Sequence, residues 1–233
     1  MSLPSRFFPP PETADPDGLV AVGGCLEPEW LLDAYRHGIF PWPVTGEVDL
    51  LAWWSLDPRA IVELHAYHVP QRLLRTCRSG KFEVTCDRDF EGVIRGCATA
   101  EGRCGRTWIT PAMLRAYVRL HERGLAHSVE VWHKGLLAGG TYGVAIGGLF
   151  AAESMFHRVR DASKVAVVHL LGHLRARGYQ LFDIQQLTTA TAQFGAMEIP
   201  RAEYLDRLRT AIQKRVQFGK RLAWPEPADV KDD

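Results

Sequence analysis

The segment Phe182-Asp-Ile-Gln185 sets an acid and an amide two residues apart in a stretch that reads as a β-strand. Strand alternation puts Asp183 and Gln185 on one face and Ile184 on the other. Such a pair can hold a small polar substrate, or it can be the hydrated end of a strand. Glu153 lies in the apolar run Gly147-Gly-Leu-Phe-Ala-Ala-Glu-Ser-Met-Phe156, where an ionised carboxylate needs a partner. A salt bridge to Arg158 or Lys164 would satisfy it, and so would the cationic group of a ligand. His169 and His173 fall four apart, a spacing that two metal ligands can use on a helix, but no Glu lies between them and no third ligand is evident. Ser154 and His157 lack both the Gly-x-Ser-x-Gly turn and an orienting acid. Ordinary helix-face histidines are expected, with no metal and no cofactor.

Arg72, Arg75 and Arg78 recur every third residue with Lys81 beyond, a basic face suited to phosphates or to solvent. Trp42, Trp53, Trp54 and Trp108 can stack on bases or pack in a core. With 28 basic and 27 acidic residues, any RNA site must be a local patch. Hydrophobic residues at 46% and charged residues at 24% point to a folded globular chain. No run approaches the roughly 20 apolar residues needed to cross a bilayer, and the N-terminal stretch lacks the pattern of a signal peptide. A cytoplasmic protein without membrane contact is therefore expected. Cys25, Cys77, Cys86, Cys97 and Cys104 contain no Cys-x-x-Cys pair and read as packing thiols in a reducing compartment.

Several elements must position these groups. Pro28 opens a helix that Gly38 ends, Thr110-Pro111 caps another that stops at Gly124, and 162–177 forms a third closed by Gly178. Helices are also expected over 70–78, 90–97 and after Pro200. Strands are expected within 18–24, 53–64, 82–86, 128–132, 136–145, 148–156 and 180–185. A meander followed by a helix and a further strand gives an α+β fold. The boundary of a small N-terminal domain (1–65) against a catalytic domain (66–224) is placed near 65, with 225–233 as a disordered tail.

The motifs Gly-Ile-Phe-Pro-Trp (38 to 42), Trp-Trp-Ser-Leu-Asp-Pro-Arg (53 to 59), Thr-Trp-Ile-Thr (107 to 110), Glu-Ser-Met-Phe (153 to 156), Ala-Ser-Lys (162 to 164), Asp-Ile-Gln (183 to 185) and Gly-Ala-Met-Glu-Ile-Pro-Arg (195 to 201) occur in one order along the chain. In these stretches the sequence resembles the leucyl/phenylalanyl-tRNA protein transferase family, over roughly residues 18 to 205. The resemblance implies a small N-terminal α/β domain packed on an N-acetyltransferase-like domain with a mixed, largely antiparallel sheet. It implies transfer of leucine or phenylalanine, or of methionine, from tRNA to the α-amino group of proteins starting with Arg or Lys, which marks them for degradation, by a monomeric enzyme. By matching position, Asp183 and Gln185 would be the catalytic pair with Glu153 beside them. Trp42 and Trp108 would hold the 3′ adenosine, with Tyr117 supporting the site. Phe150, Met155 and Ile184 would belong to the acyl pocket, and the basic face of Arg72, Arg75, Arg78 and Lys81 to tRNA.

Some positions depart from the family pattern. Thr141 stands where a bulky apolar residue is usual, Leu170 and His157 differ, Ala190 replaces a histidine, and Cys25 replaces an aspartate. A neutral amide is too weak a base to take a proton, so Gln185 is expected to accept a hydrogen bond from the attacking amine while Asp183 orients it. Two rivals are an acyl-CoA N-acetyltransferase and a non-catalytic tRNA-binding module. The first needs a pyrophosphate loop that Arg175-Ala-Arg-Gly-Tyr-Gln180 does not complete. The second has no use for Glu153, Asp183 and Gln185.

Overall fold

The computed structural model describes residues 4–44, 50–100 and 107–223, so Cys104 and the expected tail at 225–233 lie outside the described residues. The N-terminal elements are β1 (Leu19–Val22), α1 (Pro28–Arg36), β2 (Phe40–Pro41) and β3 (Ala52–Trp54). Next come β4 (Arg59–Val62), α2 (Gln71–Arg78), β5 (Glu83–Cys86), α3 (Phe90–Thr99) and α4 (Pro111–Glu122). A meander follows of β6 (Ala126–His133), β7 (Leu136–Ile146) and β8 (Leu149–His157), and then α5 (Ala162–Arg177) and β9 (Leu181–Gln185). The chain continues through α6 (Thr189–Ala192), β10 (Ala196–Ile199) and α7 (Arg201–Ala211).

The strands form a small antiparallel sheet of order β1-β3-β2 and a large sheet of order β10-β4-β9-β8-β7-β6-β5. In the large sheet β8 and β9 run parallel, and the other neighbours are antiparallel, which is the mixed α+β architecture expected from the sequence. One correction concerns β4, which was expected to fall on the N-terminal side of a boundary near 65. It is instead an interior strand of the large sheet, hydrogen-bonded to β10 on one side and β9 on the other, because Arg59 to Val62 are all buried and need partners on both edges.

Local chemistry explains the helices that were legible. Thr110 accepts from the Met113 N–H and Pro111 sits at the first helical position of α4, while Gly178 closes α5 with a left-handed φ of 84°. Helix α5 packs on one face of the large sheet, over Val129, Val131, Phe150 and Phe182. The opposite face carries α3 and α4 together with the N-terminal unit, whose Leu31, Ile39 and Trp53 join Val93, Tyr117 and Tyr142 in one core. The small sheet thus closes over the same face that Glu153 and Asp183 enter. None of the helices among the described residues is long and apolar enough to cross a membrane.

Two irregularities set the geometry of the centre. The parallel pairing of β8 with β9 stops at Ala151 opposite Asp183. On β8, Tyr142 pairs with Ser154 but Gly143 with Ala152, leaving Glu153 as the extra residue of a β-bulge. On β9, Ile61 pairs with Asp183 but Ala60 with Gln185, leaving Ile184 as the extra residue, and Gln185 itself takes a left-handed φ of 55°. Both neighbouring strands are therefore kinked just where their pairing ends.

Candidate active site

Asp183 is fully buried and all of its acceptor capacity is in use. Its Oδ1 accepts from Arg59 Nε and from the backbone N–H of Gln185, both at 2.9 Å. Its Oδ2 accepts from Arg59 Nη2 and from the Tyr204 hydroxyl, both at 2.7 Å. Arg59 completes the arrangement by donating Nη1 to the Gly38 carbonyl at 3.1 Å, with its guanidinium between the rings of Phe40 and Tyr204, 4.7 and 4.5 Å from their centroids. Burial works against the charge on Arg59, yet the carboxylate of Asp183 leaves its pKa above the ordinary value. This ion pair joins β4, β9, α7 and the turn after α1. It also fixes the left-handed backbone of Gln185, since the N–H that the kink turns inward is the one Asp183 accepts.

Glu153 makes no salt bridge to Arg158 or Lys164. Tyr35 donates to its Oε1 and Tyr117 to its Oε2, each at 2.7 Å, and the two tyrosine oxygens lie 2.6 Å apart. Burial pushes the Glu153 carboxyl up to about 7, against the two tyrosine hydrogen bonds, which favour the ionised form. Proton counting agrees. Three oxygen-to-oxygen contacts need three protons and the two phenols supply two; the third is a proton on Glu153, which donates to one tyrosine and frees that tyrosine's O–H for the other. The Gln185 amide also donates Nε2–H to Glu153 Oε1, at 3.3 Å. That bond decides which way the amide faces, leaving its carbonyl oxygen as the end available to a neighbour.

That neighbour is a cavity of about 310 Å³, within the range of small-ligand sites, between the kinked ends of β8 and β9. Of the candidates, Trp42, Trp108, Thr141, Glu153, Met155, Ile184 and Gln185 line it. Its apolar wall is completed by Phe182 of the segment first singled out, and by Val62, Val167 and Phe194, which the sequence reading did not single out. Trp42 and Trp108 stack at 5.3 Å and 29°, and Trp42 is 37% exposed. Thr141 turns its hydroxyl away from solvent, donating to the Ser154 carbonyl at 3.0 Å. A larger groove of about 900 Å³, bordered by Asp33, His37 and the segment after α7, contains none of the candidates.

Other expected positions fall elsewhere. Asp183 does not line the cavity, and Ile184 and Gln185 both do, so the simple alternation of β9 fails at its bulge. Tyr117 reaches the site through Glu153 rather than directly. Phe150 on β8 and Leu170 on α5 lie in the core between that helix and the sheet and do not line the cavity. Trp53 is fully buried, donating Nε1–H to the Gly23 carbonyl, and Trp54 donates to the carbonyl of Trp42. His173 bonds the Phe218 carbonyl through Nε2 and accepts the Ala223 N–H at Nδ1, and burial holds its pKa near 4. It anchors the segment after α7. Among the described residues no cluster of side chains could hold a metal ion.

Arg72, Arg75, Arg78 and Lys81 are all exposed, while Leu73 and Leu74 seat α2 on the core. The contributors that sequence reading missed are Arg59, Tyr204 and Tyr35. Arg59 did carry a signal, since a cation inside the apolar stretch from Trp53 to Leu64 demands a buried partner as much as Glu153 does.

Comparison with known proteins gives one answer. The family model described as leucyl/phenylalanyl-tRNA protein transferase matches residues 61–209, and the model of that family's N-terminal domain matches residues 24–57. A leucyl/phenylalanyl-tRNA–protein transferase of Magnetococcus marinus is 52% identical over 217 residues, covering 91% of this chain and 91% of its own. Proteins of the same name from Nitratidesulfovibrio vulgaris and Chromohalobacter salexigens are 49% and 53% identical, covering 96% and 94% of this chain and 94% and 84% of their own. Among solved structures, a GCN5-related N-acetyltransferase-like protein from Streptococcus suis aligns with 73% of this chain and 63% of its own, at 12% identity and a TM-score of 0.35. A polar centre that joins strands of the large sheet to helices α1, α4 and α7, an apolar cavity beside it and identity near one half along almost the whole length converge: the chain belongs to the leucyl/phenylalanyl-tRNA protein transferase family and is an aminoacyltransferase.

Proposed function

We propose that this protein transfers leucine or phenylalanine from the 3′ end of tRNA to the α-amino group of proteins that begin with arginine or lysine. The observation that carries the mechanism is the fixed Gln185 amide, its N–H held by Glu153 and its backbone by Asp183. The aminoacyl side chain occupies the cavity between Met155, Ile184, Phe182 and Val167, and the adenosine stacks on the Trp42–Trp108 pair at its rim.

An N-terminal amine with a pKa of about 8 is already in part neutral at pH 7, and an aminoacyl ester is already activated, so no strong base is needed. The amine nitrogen attacks the ester carbonyl carbon and becomes positively charged. The Gln185 carbonyl accepts one of its N–H bonds and stabilises that charge. The carbon–oxygen bond to the ribose then breaks, and the departing oxygen takes up the proton that nitrogen gives up. Asp183, shared among four donors, is a positioning residue for Gln185, and Glu153 sets the direction of its amide.

The exposed face of Arg72, Arg75 and Arg78, with Lys81, meets the tRNA backbone. Arg72 borders a cavity of about 380 Å³ together with Arg160 and Lys164, which extends the cationic surface toward Gln193, next to Phe194 of the acyl cavity. The deciding experiment mixes purified protein with labelled Leu-tRNA or Phe-tRNA and peptides differing only in their first residue. Transfer to Arg- and Lys-starting peptides, with none from acetyl-CoA, is expected. Transfer from acetyl-CoA, or no transfer to any peptide, refutes the proposal.

A further inference from the structure

A guanidinium or ammonium on the acceptor's first residue needs an anion close to the attacking amine. Glu153 does not offer one: both of its oxygens are engaged by tyrosines and the Gln185 amide, and burial favours its neutral form. A second cavity, of about 220 Å³, lies beside the first and is lined by Asp17, Phe40, Trp42, Trp54, Leu56 and Gln186. Trp42 and Gln186 also line the reaction cavity, so the two spaces share a wall adjacent to Gln185.

The lining suits a long cationic side chain. Asp17 is exposed and its carboxylate has no partner among the described residues, while its backbone N–H is held by Asp15 Oδ1 at 3.0 Å. Trp54 Nε1–H donates to the Trp42 carbonyl at 2.8 Å, which locks the two indole-bearing segments together. Phe40 forms the floor, its ring carrying the guanidinium of Arg59 at 4.7 Å. Aromatic faces beside one carboxylate attract a cation, and an apolar wall such as Leu56 covers its methylene stem. The α-amine and the side chain of one residue diverge from a single Cα, so their sites must adjoin; the shared wall at Trp42 and Gln186 meets that condition.

We infer that this cavity is the subsite for the acceptor's first side chain, with Asp17 pairing its charge and Trp42 and Trp54 enclosing its stem. The inference rests on the transfer reaction proposed above. It explains why a protein beginning with arginine or lysine would be selected by a centre whose own carboxylates are already engaged.

The test uses the full chain with labelled Phe-tRNA and peptides identical except for a first residue of arginine, lysine, citrulline or glutamate. Citrulline keeps the shape of arginine without its charge. The wild type is expected to favour arginine over citrulline, and Asp17→Asn to narrow that ratio of kcat/KM by about tenfold, mostly through KM. Asp17→Lys is expected to disfavour arginine further and to gain transfer to the glutamate peptide. An unchanged arginine-to-citrulline ratio in both variants overturns the inference, as does an equal loss on all four peptides, which would mark a structural role. A wild type that transfers to none of the peptides refutes the underlying reaction itself.

Discussion

Replacing Glu153 by glutamine tests the buried polar centre most directly, because the substitution mimics the protonated acid without changing its shape. The carboxyl has an ordinary pKa of 4.5 and a folded value of about 7. Between those pH values the folded chain keeps a proton that the unfolded chain has released. Unfolding free energy therefore falls as pH rises through that window, by about 1.4 kcal/mol per pH unit for this group. Its contribution is fully present below pH 4.5 and is lost by about pH 7, a total of roughly 3 kcal/mol. Glu153→Gln removes the dependence while leaving a neutral group among Tyr35, Tyr117 and Gln185. Urea unfolding of both proteins at half-unit steps from pH 4.5 to 8 gives the difference curve, in which the other titrating groups, His169 and His173 included, cancel. The variant is expected to gain on the wild type steadily up to about pH 7, after which the difference stays constant. Parallel stability curves across that range would refute the reasoning, because they would mean that Glu153 carries its charge in the folded protein at all these pH values.

Four other outcomes follow from the same geometry. Asp183→Asn leaves the Arg59 guanidinium buried without its counter-charge and is expected to lower stability by about 3–5 kcal/mol; adding Arg59→Met should recover most of that in denaturant unfolding but not the transfer rate, since Gln185 stays unheld. Gln185→Ala should reduce single-turnover transfer by about 10²–10³-fold with little change in tRNA affinity by filter binding, and wild-type turnover in this variant rules out the amide's role. Gln185→Gly should be more stable than Gln185→Ala by about 1 kcal/mol in thermal unfolding, because the left-handed backbone suits glycine. Thr141→Met, which extends into the acyl cavity, should shift the ratio of phenylalanine to leucine transfer toward leucine by about tenfold or more, read by competition between the two charged tRNAs.

What the sequence discloses is local. Proline and threonine at helix starts and glycine at helix ends mark α1, α4 and α5, and period-two apolar residues mark the meander from β6 to β8. The elements α6 and β10 were missed because a four-residue helix made of Thr189-Ala-Thr-Ala192 has no apolar stripe, and a four-residue edge strand with Met197 and Glu198 exposed has no alternating buried face. The cavity's apolar wall was only half legible: Met155 and Ile184 are on strands already under suspicion, but Val62, Val167 and Phe194 converge from three distant segments. The bulges at Glu153 and Ile184 were invisible for a stronger reason. A bulge is a mismatch between two paired strands, and neither strand alone records it. Gln185 gave no hint of its left-handed backbone, because residues other than glycine, asparagine and aspartate rarely adopt it, and here the partner that fixes it, Asp183, is itself fixed by Arg59.

The pairing of Arg59 with Asp183 spans 124 positions of sequence, and that separation has a consequence for how the protein is born. Strand β4 leaves the ribosome early, yet both of its neighbours, β9 and β10, come late. At a synthesis rate of roughly 5–20 residues per second, the Arg59 cation is in place about 6–25 seconds before its counter-ion emerges. Until then β4 has two open edges and the amide that would touch substrate does not exist. The polar centre is thus among the last parts of the chain to close, and an interrupted translation product lacking the last third of the sequence carries Arg59 without Asp183, Gln185 or Tyr204.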